Sequence, residues 1–331
     1  MTVENRKQPL PSRREFISLG IGAFVVGTIP LAARGRKSLV RRTLPTMGTL
    51  GEVAVVHKDE KYAQGAIDAA FQELQRVESL LTRFRPDSDV GRANLSAFSE
   101  PQGVSAETSG VLQSALRWAD ATEGAFDPCL GRAVALWDFG NRTQPPETRE
   151  VHRFAERGLF KALELGKSQG RDVVVFREED MGIDLGGIGK GYGVDRAVEA
   201  LRAWGIQHAL VNVGGDLYAL GVSEDGDPWK VGVRSPDDPN GLATTLNMSD
   251  QAVATSGDYQ QFFEHQGRRY HHLLDPTTGA PSQARVRSVT VAAESCMDAD
   301  AGATTAFVAS VARAEALLPR IAPGAEVVYT V

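Results

Sequence analysis

Asp184-Leu-Gly-Gly-Ile-Gly-Lys-Gly-Tyr-Gly-Val-Asp195 is the stretch on which the fold turns. Gly186, Gly187, Gly189 and Gly191 stand directly before Val194, Ala197, Val198 and Leu201, apolar residues at helical spacing, so a glycine-rich turn feeds a helix. Two nucleotide-binding templates share that shape, and neither fits. Walker A requires Ser or Thr after Gly-Lys, where Gly191 stands, and the dinucleotide fingerprint requires a sixth-position glycine from Gly187, where Tyr192 stands. Such a turn still lets backbone N–H groups approach a phosphate at a helix N-terminus, with Lys190 adding a point charge. A plain strand-to-helix turn with a solvated lysine fits the residues equally.

Working outward, strands are expected at Gly48–His57, Val173–Phe176, Ala209–Val213, Lys230–Val233 and Val286–Ala292. A helix is expected through Ile67, Ala70, Phe71, Leu74, Val77 and Leu81, and others at Ser105–Thr122, Tyr192–Trp204, Asp298–Val311 and Ala312–Pro319. Arg83–Asn94, with Pro86, Asp87 and Ser88, reads as a loop. The order lacks the regular alternation of a doubly wound sheet, which points to an α+β fold. Residues 141–148, with Pro145 and Pro146, are a linker candidate too short to demand a domain boundary.

The chain has 331 residues, enough for one large domain or two small ones. With 42% hydrophobic and 24% charged residues it is neither wholly disordered nor a multi-spanning membrane protein. Charge is unevenly placed. Residues 1–42 hold nine basic and two acidic side chains, whereas the remainder holds 27 basic and 40 acidic. So acidic a body argues against nucleic acid as a partner, and favours a small ligand whose anionic groups are held locally.

The basic N-terminus reads as an address. Ser12-Arg13-Arg14-Glu15-Phe16-Ile17 resembles a twin-arginine export signal, followed by an uncharged stretch to Ala33 diluted by Gly20, Gly22, Gly27 and Pro30. Leu31-Ala32-Ala33 offers small residues for cleavage, and a retained signal anchor is the competing reading. Residues 1–42 are thus expected to be signal peptide and short basic linker, and 43–331 one domain without an integral membrane span. Cys129 and Cys296 are too few for a disulfide framework and read as small buried hydrophobes.

Two further segments carry chemistry. In Arg269-Tyr-His-His-Leu-Leu-Asp-Pro-Thr-Thr-Gly279, His271 and His272 on one strand would face opposite sides, which suggests one histidine in a polar pocket and one on the surface. In Ser295-Cys-Met-Asp-Ala-Asp-Ala-Gly-Ala-Thr-Thr305, Ser295 and Asp298 suit a helix N-cap, and Asp300 and Thr304 fall on one helical face. A carboxylate beside a hydroxyl suits Mg²⁺ more than Zn²⁺; acids favouring the helix dipole would explain Asp298 but not the pair.

In order, Met47-Gly-Thr, Arg83-Phe-Arg-Pro-Asp-Ser-Asp, Gly124-Ala-Phe-Asp-Pro, the Asp184 glycine stretch and Val211-Asn-Val-Gly-Gly-Asp-Leu closely resemble the FAD:protein FMN transferases. Thr255-Ser-Gly-Asp-Tyr, His272-Leu-Leu-Asp-Pro-Thr-Thr-Gly and Asp300-Ala-Gly-Ala-Thr continue the resemblance, which covers nearly everything from Arg42 onward. It implies a T-fold-related α+β fold, mixed or antiparallel sheets with packed helices, and an enzyme at the periplasm or outer face of the cytoplasmic membrane. The implied reaction moves the FMN half of FAD to a Thr or Ser of another protein, releasing AMP.

By position, the resemblance implies Mg²⁺ on Asp300, Thr304 and the backbone oxygen of Gly187. It implies FAD on Met47, Phe84, Ala125, Phe126, Asp127, Asp184, Lys190 and Leu274. His272 becomes the acid/base candidate, with Lys190 and Asp275 beside it in the catalytic set. The acceptor would carry a Ser/Thr-Gly-Ala-Thr-like site. Three departures stand out: Phe84 where many members have Tyr, Cys129 where Thr is common, and a twin-arginine signal in place of a lipobox. An acidic protein cannot hold a pyrophosphate by its net field, so the load would fall on Mg²⁺, Lys190 and the Gly186–Gly191 amides. A Mg²⁺-dependent FAD pyrophosphatase is one rival. A flavin carrier is another, since Ala301-Gly-Ala-Thr-Thr305 itself resembles an acceptor site, although Asp300 and Thr304 fall on the implied metal positions.

Overall fold

Val53 and Val55 face one hydrophobic cluster while Ala54 and Val56 face another, and that alternation runs through the whole central sheet. The computed structural model describes residues 24–26, 38–238 and 241–331. The sheet has seven strands: β1 (Ser38–Thr46), β2 (Thr49–His57), β3 (Ala209–Val213), β4 (Asp216–Leu220), β5 (Gln251–Gly257), β6 (Ser288–Ala293) and β7 (Glu326–Thr330). They lie in space in their order along the chain, each antiparallel to its neighbour. A strand buried on both faces needs an apolar residue at nearly every position, and β3 and β4 are buried throughout.

Helices cover one face: α1 (Glu60–Leu81), α2 (Ala106–Ala121), α3 (Gly189–Ala203), α4 (Cys296–Ala309) and α5 (Val311–Ile321). Of these, α1 packs on β1 and β2, while α4 packs on β5 and β6 and against α3. On the other face a three-stranded sheet of Phe24–Val26, Trp229–Arg234 and Leu242–Met248 supplies Trp229, Val231, Val233 and Met248 to the second cluster. Between β2 and β3 the chain inserts α1, α2, α3 and a small sheet of Gln102–Gly103, Leu163–Ser168 and Arg171–Phe176. The α+β expectation, with antiparallel sheets and packed helices, holds.

Several local expectations change. Residues 83–94 are not all loop: Ser88 Oγ accepts the Gly91 N–H at 2.8 Å and starts a helix at Asp89–Ser96. The Pro86-Asp87-Ser88 turn is real, but it ends in a cap. The folded body begins before residue 43, because β1 pairs with β2 from Ser38 onward. His271 ends the strand Arg268–His271, and His272 lies just beyond it, with Leu274–Asp275 in a separate short ladder. The Arg13–Arg14 signal and the Leu31-Ala32-Ala33 site lie outside the described residues. Among the described residues, no helix is long and apolar enough to cross a membrane. Cys129 and Cys296 are free and buried, as small hydrophobes.

Candidate active site

The glycines of the Asp184–Asp195 stretch serve helix contact as well as the turn. A Cβ on Gly191 would lie 2.2 Å from the Cys296 carbonyl oxygen, and one on Gly193 would lie 2.7 Å from Met47 Sδ. The Gly191 N–H donates to Asp300 Oδ2 at 3.2 Å, so this amide faces a carboxylate and not a phosphate. Helix α3 can therefore lie against the first turn of α4. There Ser295 Oγ accepts the Asp298 N–H at 3.1 Å, and Asp195 accepts the N–H groups of Cys296 (2.7 Å) and Met297 (2.9 Å). Burial pushes the Asp195 carboxyl up to about 7.

That contact places Lys190 of α3 beside Asp300 of α4. Lys190 Nζ is 3.2 Å from Asp300 Oδ2, 2.5 Å from Asp216 Oδ2 and 3.3 Å from the Gly186 carbonyl. Burial opposes the ammonium charge, but the two carboxylates outweigh it and hold Lys190 protonated. Burial, with Asp300 nearby, pushes Asp216 the other way, upward. Lys190 is thus a partner of two acids before any phosphate arrives. Thr304, one turn beyond Asp300, has its Oγ1 3.5 Å from Ser256 Oγ, and a Cβ on Gly187 would come within 2.9 Å of it.

A cleft of about 300 Å³ gathers these groups. Asp300, Thr304, Gly187 and Lys190 line it together with Met47, Phe84, Ala125, Phe126, Asp127, Asp184, His272 and Leu274. A second cleft of about 530 Å³ adjoins it and shares Met47, Arg83, Phe84, Asp184 and Lys190. Met47 sits in a left-handed turn, φ 50°, and its N–H donates to Glu78 Oε2 at 2.9 Å. Arg83 pairs with Asp184 (Nε to Oδ2, 2.8 Å) and stacks its guanidinium 4.2 Å over the ring of Phe84, which is 79% exposed at the cleft. Asp127 accepts N–H groups from Cys129 at 2.8 Å and Phe160 at 3.3 Å, yet burial lifts its carboxyl to about 6.

The two histidines separate as their spacing suggests, with one correction. His272 lines the cleft, but His271 is buried and not on the surface: its Nε2 contacts the Ser282 carbonyl at 2.9 Å and its ring meets Phe307 edge-on. His272 Nδ1 lies 3.3 Å from the Gln261 carbonyl, which can only accept, so the proton sits on Nδ1 and Nε2 is the basic atom. Burial lowers its pKa to about 4, keeping the ring neutral.

Asp275 is not brought to this set. Its Oδ1 accepts from the Thr277 N–H (2.8 Å) and hydroxyl (2.7 Å), holding the Asp-Pro-Thr-Thr-Gly turn, and it is absent from the cleft lining. Asp216, absent from the expected set, is the acid nearest Lys190; its motif, Val211–Leu217, carries the resemblance but gives Asp216 no role until the fold joins β4 to α3. Thr305 is buried and its hydroxyl donates to the Ala301 carbonyl at 2.8 Å, which removes it as a flavin acceptor. Among the described residues no cluster of three or more His, Cys, Asp or Glu could hold a metal. A Mg²⁺ site needs fewer carboxylates, and Asp300, Thr304 and the Gly187 backbone offer hard oxygens at one wall of the cleft.

Sheet, helices and cleft together define an α+β protein with a cleft of mixed polar and apolar lining backed by the α3–α4 contact. Comparison with known proteins sets the family. The ApbE family model matches residues 47–329, and the chain belongs to that family. It is 37% identical over 269 residues to the FAD:protein FMN transferase of Vibrio cholerae, covering 78% of each chain. It is 35% identical over 330 residues to that of Treponema pallidum, covering 93% of this chain and 90% of the relative. The crystal structure of the ApbE protein from Thermotoga maritima matches with a TM-score of 0.79 at 29% identity, over 88% of this chain and 94% of that one.

Proposed function

We propose that this protein transfers FMN from FAD to a Ser or Thr hydroxyl of an acceptor protein and releases AMP. The observation that carries the reading is the convergence of His272, Lys190, Asp300 and Thr304 on one cleft in a chain of this family. FAD would rest on Met47, Phe84, Ala125, Phe126, Asp127, Asp184, Lys190 and Leu274, all of which line that cleft. Asp300, Thr304 and the Gly187 carbonyl would hold Mg²⁺. When bound, the ion supplies neutralisation of pyrophosphate charge.

The chain's own groups do the rest. A hydroxyl is a weak nucleophile at neutral pH and needs a base. The acceptor oxygen forms a bond to the phosphorus of the FMN half while the bridging P–O bond breaks, and AMP leaves with the bridging oxygen. The hydroxyl proton passes to Nε2 of His272. Holding acceptor and leaving group in line supplies much of the remaining rate. The acceptor is expected to carry a Ser/Thr-Gly-Ala-Thr-like site. Export by the twin-arginine route, to the periplasm or outer face of the cytoplasmic membrane, is part of the proposal and rests on Arg13 and Arg14 before an uncharged apolar stretch.

Incubation with FAD, Mg²⁺ and a candidate acceptor domain, followed by in-gel flavin fluorescence, tests the transfer. Fluorescence on the acceptor with one AMP released per label is the expected result. FMN and AMP formed without an acceptor would assign a pyrophosphatase instead. Covalent FMN on Thr304 of the purified chain would assign a carrier.

A further inference from the structure

Asp216 opens β4, directly after Gly214 and Gly215, whose φ values of 63° and 105° favour glycine. The tight turn directs the chain back along β3, and Gly215 N–H donates to Asn212 Oδ1 at 3.3 Å to hold it. Asp216 is 2% exposed. Its Oδ2 is fully buried, with no hydrogen-bond partner beyond the Lys190 ammonium at 2.5 Å. The same ammonium is 3.2 and 3.3 Å from the two oxygens of Asp300, farther than from Asp216. One half-buried cation is therefore shared unequally between two buried acids.

Asp216 takes the shorter of the two carboxylate contacts, so the ammonium is held mainly on Asp216 and only loosely on Asp300. Without the Asp216 side chain, Asp300 is the carboxylate left to the ammonium, and an incoming cation must displace that ammonium to reach it. In a buried site, where charges interact strongly, that competition is severe. We propose that Asp216 is a positioning residue: by taking the shorter contact to Lys190, it holds the ammonium off Asp300 and so preserves Asp300 as a cation ligand. The inference rests on the proposed Mg²⁺ site, and goes beyond it by giving Asp216 a role that requires no contact with the metal.

The test is Mg²⁺ affinity by calorimetry, checked by Mn²⁺ binding in electron paramagnetic resonance, on the full chain without FAD. Four proteins are compared: wild type, Asp216→Asn, Lys190→Met, and the double variant. Asp216→Asn should weaken Mg²⁺ binding about 10- to 100-fold, the range for losing a group that supports a ligand. Lys190→Met should bind at least as tightly as wild type. The double variant should return to within a few-fold of wild type, because Asp300 is again free of its competitor.

A merely structural role would not be rescued by removing Lys190, and a circular dichroism melt on each protein separates misfolding from loss of affinity. Unchanged affinity in Asp216→Asn would overturn the inference while leaving the metal reading standing. A double variant as weak as Asp216→Asn would also overturn it, and would make Asp216 a ligand itself. Failure of the wild type to bind Mg²⁺ or Mn²⁺ would overturn the metal reading, and this inference with it.

Discussion

Replacing His272 with alanine separates chemistry from binding, and pH sharpens the separation. The ring lines the cleft, its Nδ1 faces the Gln261 carbonyl, and burial holds its pKa at about 4 instead of the usual 6.5. A neutral imidazole is the competent base, so competence is complete well above pH 4 and is lost only as pH falls through that value. Single-turnover transfer should then be flat from pH 8 to about 5.5, where a base with the ordinary pKa of about 6.5 would already have lost about tenfold. Removing a general base costs typically about 10²- to 10⁴-fold. His272→Ala should lose transfer by that factor at saturating FAD, with calorimetric FAD affinity changed little. His271→Ala is the control: it removes a buried ring packed on Phe307, lowers the melting temperature, and leaves the rate of the folded protein near wild type. An acid limb centred near 6.5, or equal losses of affinity and rate in His272→Ala, would refute the assignment. Asp275 would not then inherit the role, because its carboxylate holds the Thr277 turn.

Asp300→Ala should abolish transfer and leave the fold largely intact, since Lys190 keeps its shorter contact to Asp216; near-normal transfer at low micromolar Mg²⁺ would count against the site. Exchange of Arg13 and Arg14 for lysine should strand the protein in the cytoplasm, because the signal is read by a receptor and not as charge; unchanged periplasmic levels on fractionation would show the tail misread. Gly191→Ala places a methyl 2.2 Å from the Cys296 carbonyl, a backbone atom that can move only with α4, and should cost at least about 1–3 kcal/mol by chemical denaturation, with transfer falling alongside. A Gly191→Ala variant as stable as wild type would mean that α3 and α4 have more freedom than this contact allows.

What the sequence makes legible depends on how local the physics is. The apolar run Val53–Val56, the helically spaced residues from Ile67 to Leu81 and the Ser295 cap are set by neighbours a few residues away, and their elements form where the pattern puts them. The helix at Asp89–Ser96 escapes because its short length gives little periodicity and its cap, Ser88, doubles as a turn residue. Asp300 and Thr304 are legible because helical spacing alone puts them on one face. Asp216 is not: Lys190 lies 26 positions before it and Asp300 lies 84 after it, so their meeting depends on β4 entering the sheet beside β3 and on Gly191 letting α3 close on α4. The same non-locality changes the reading of the glycine stretch. Its amides and small residues suggest a phosphate cradle when read along the chain, yet the Gly191 amide is directed at Asp300, and Gly191 itself leaves room for the Cys296 carbonyl. The stretch thus acts first as the surface that brings a lysine to two buried acids, and the pyrophosphate would meet that assembled cluster, not a bare loop of glycines.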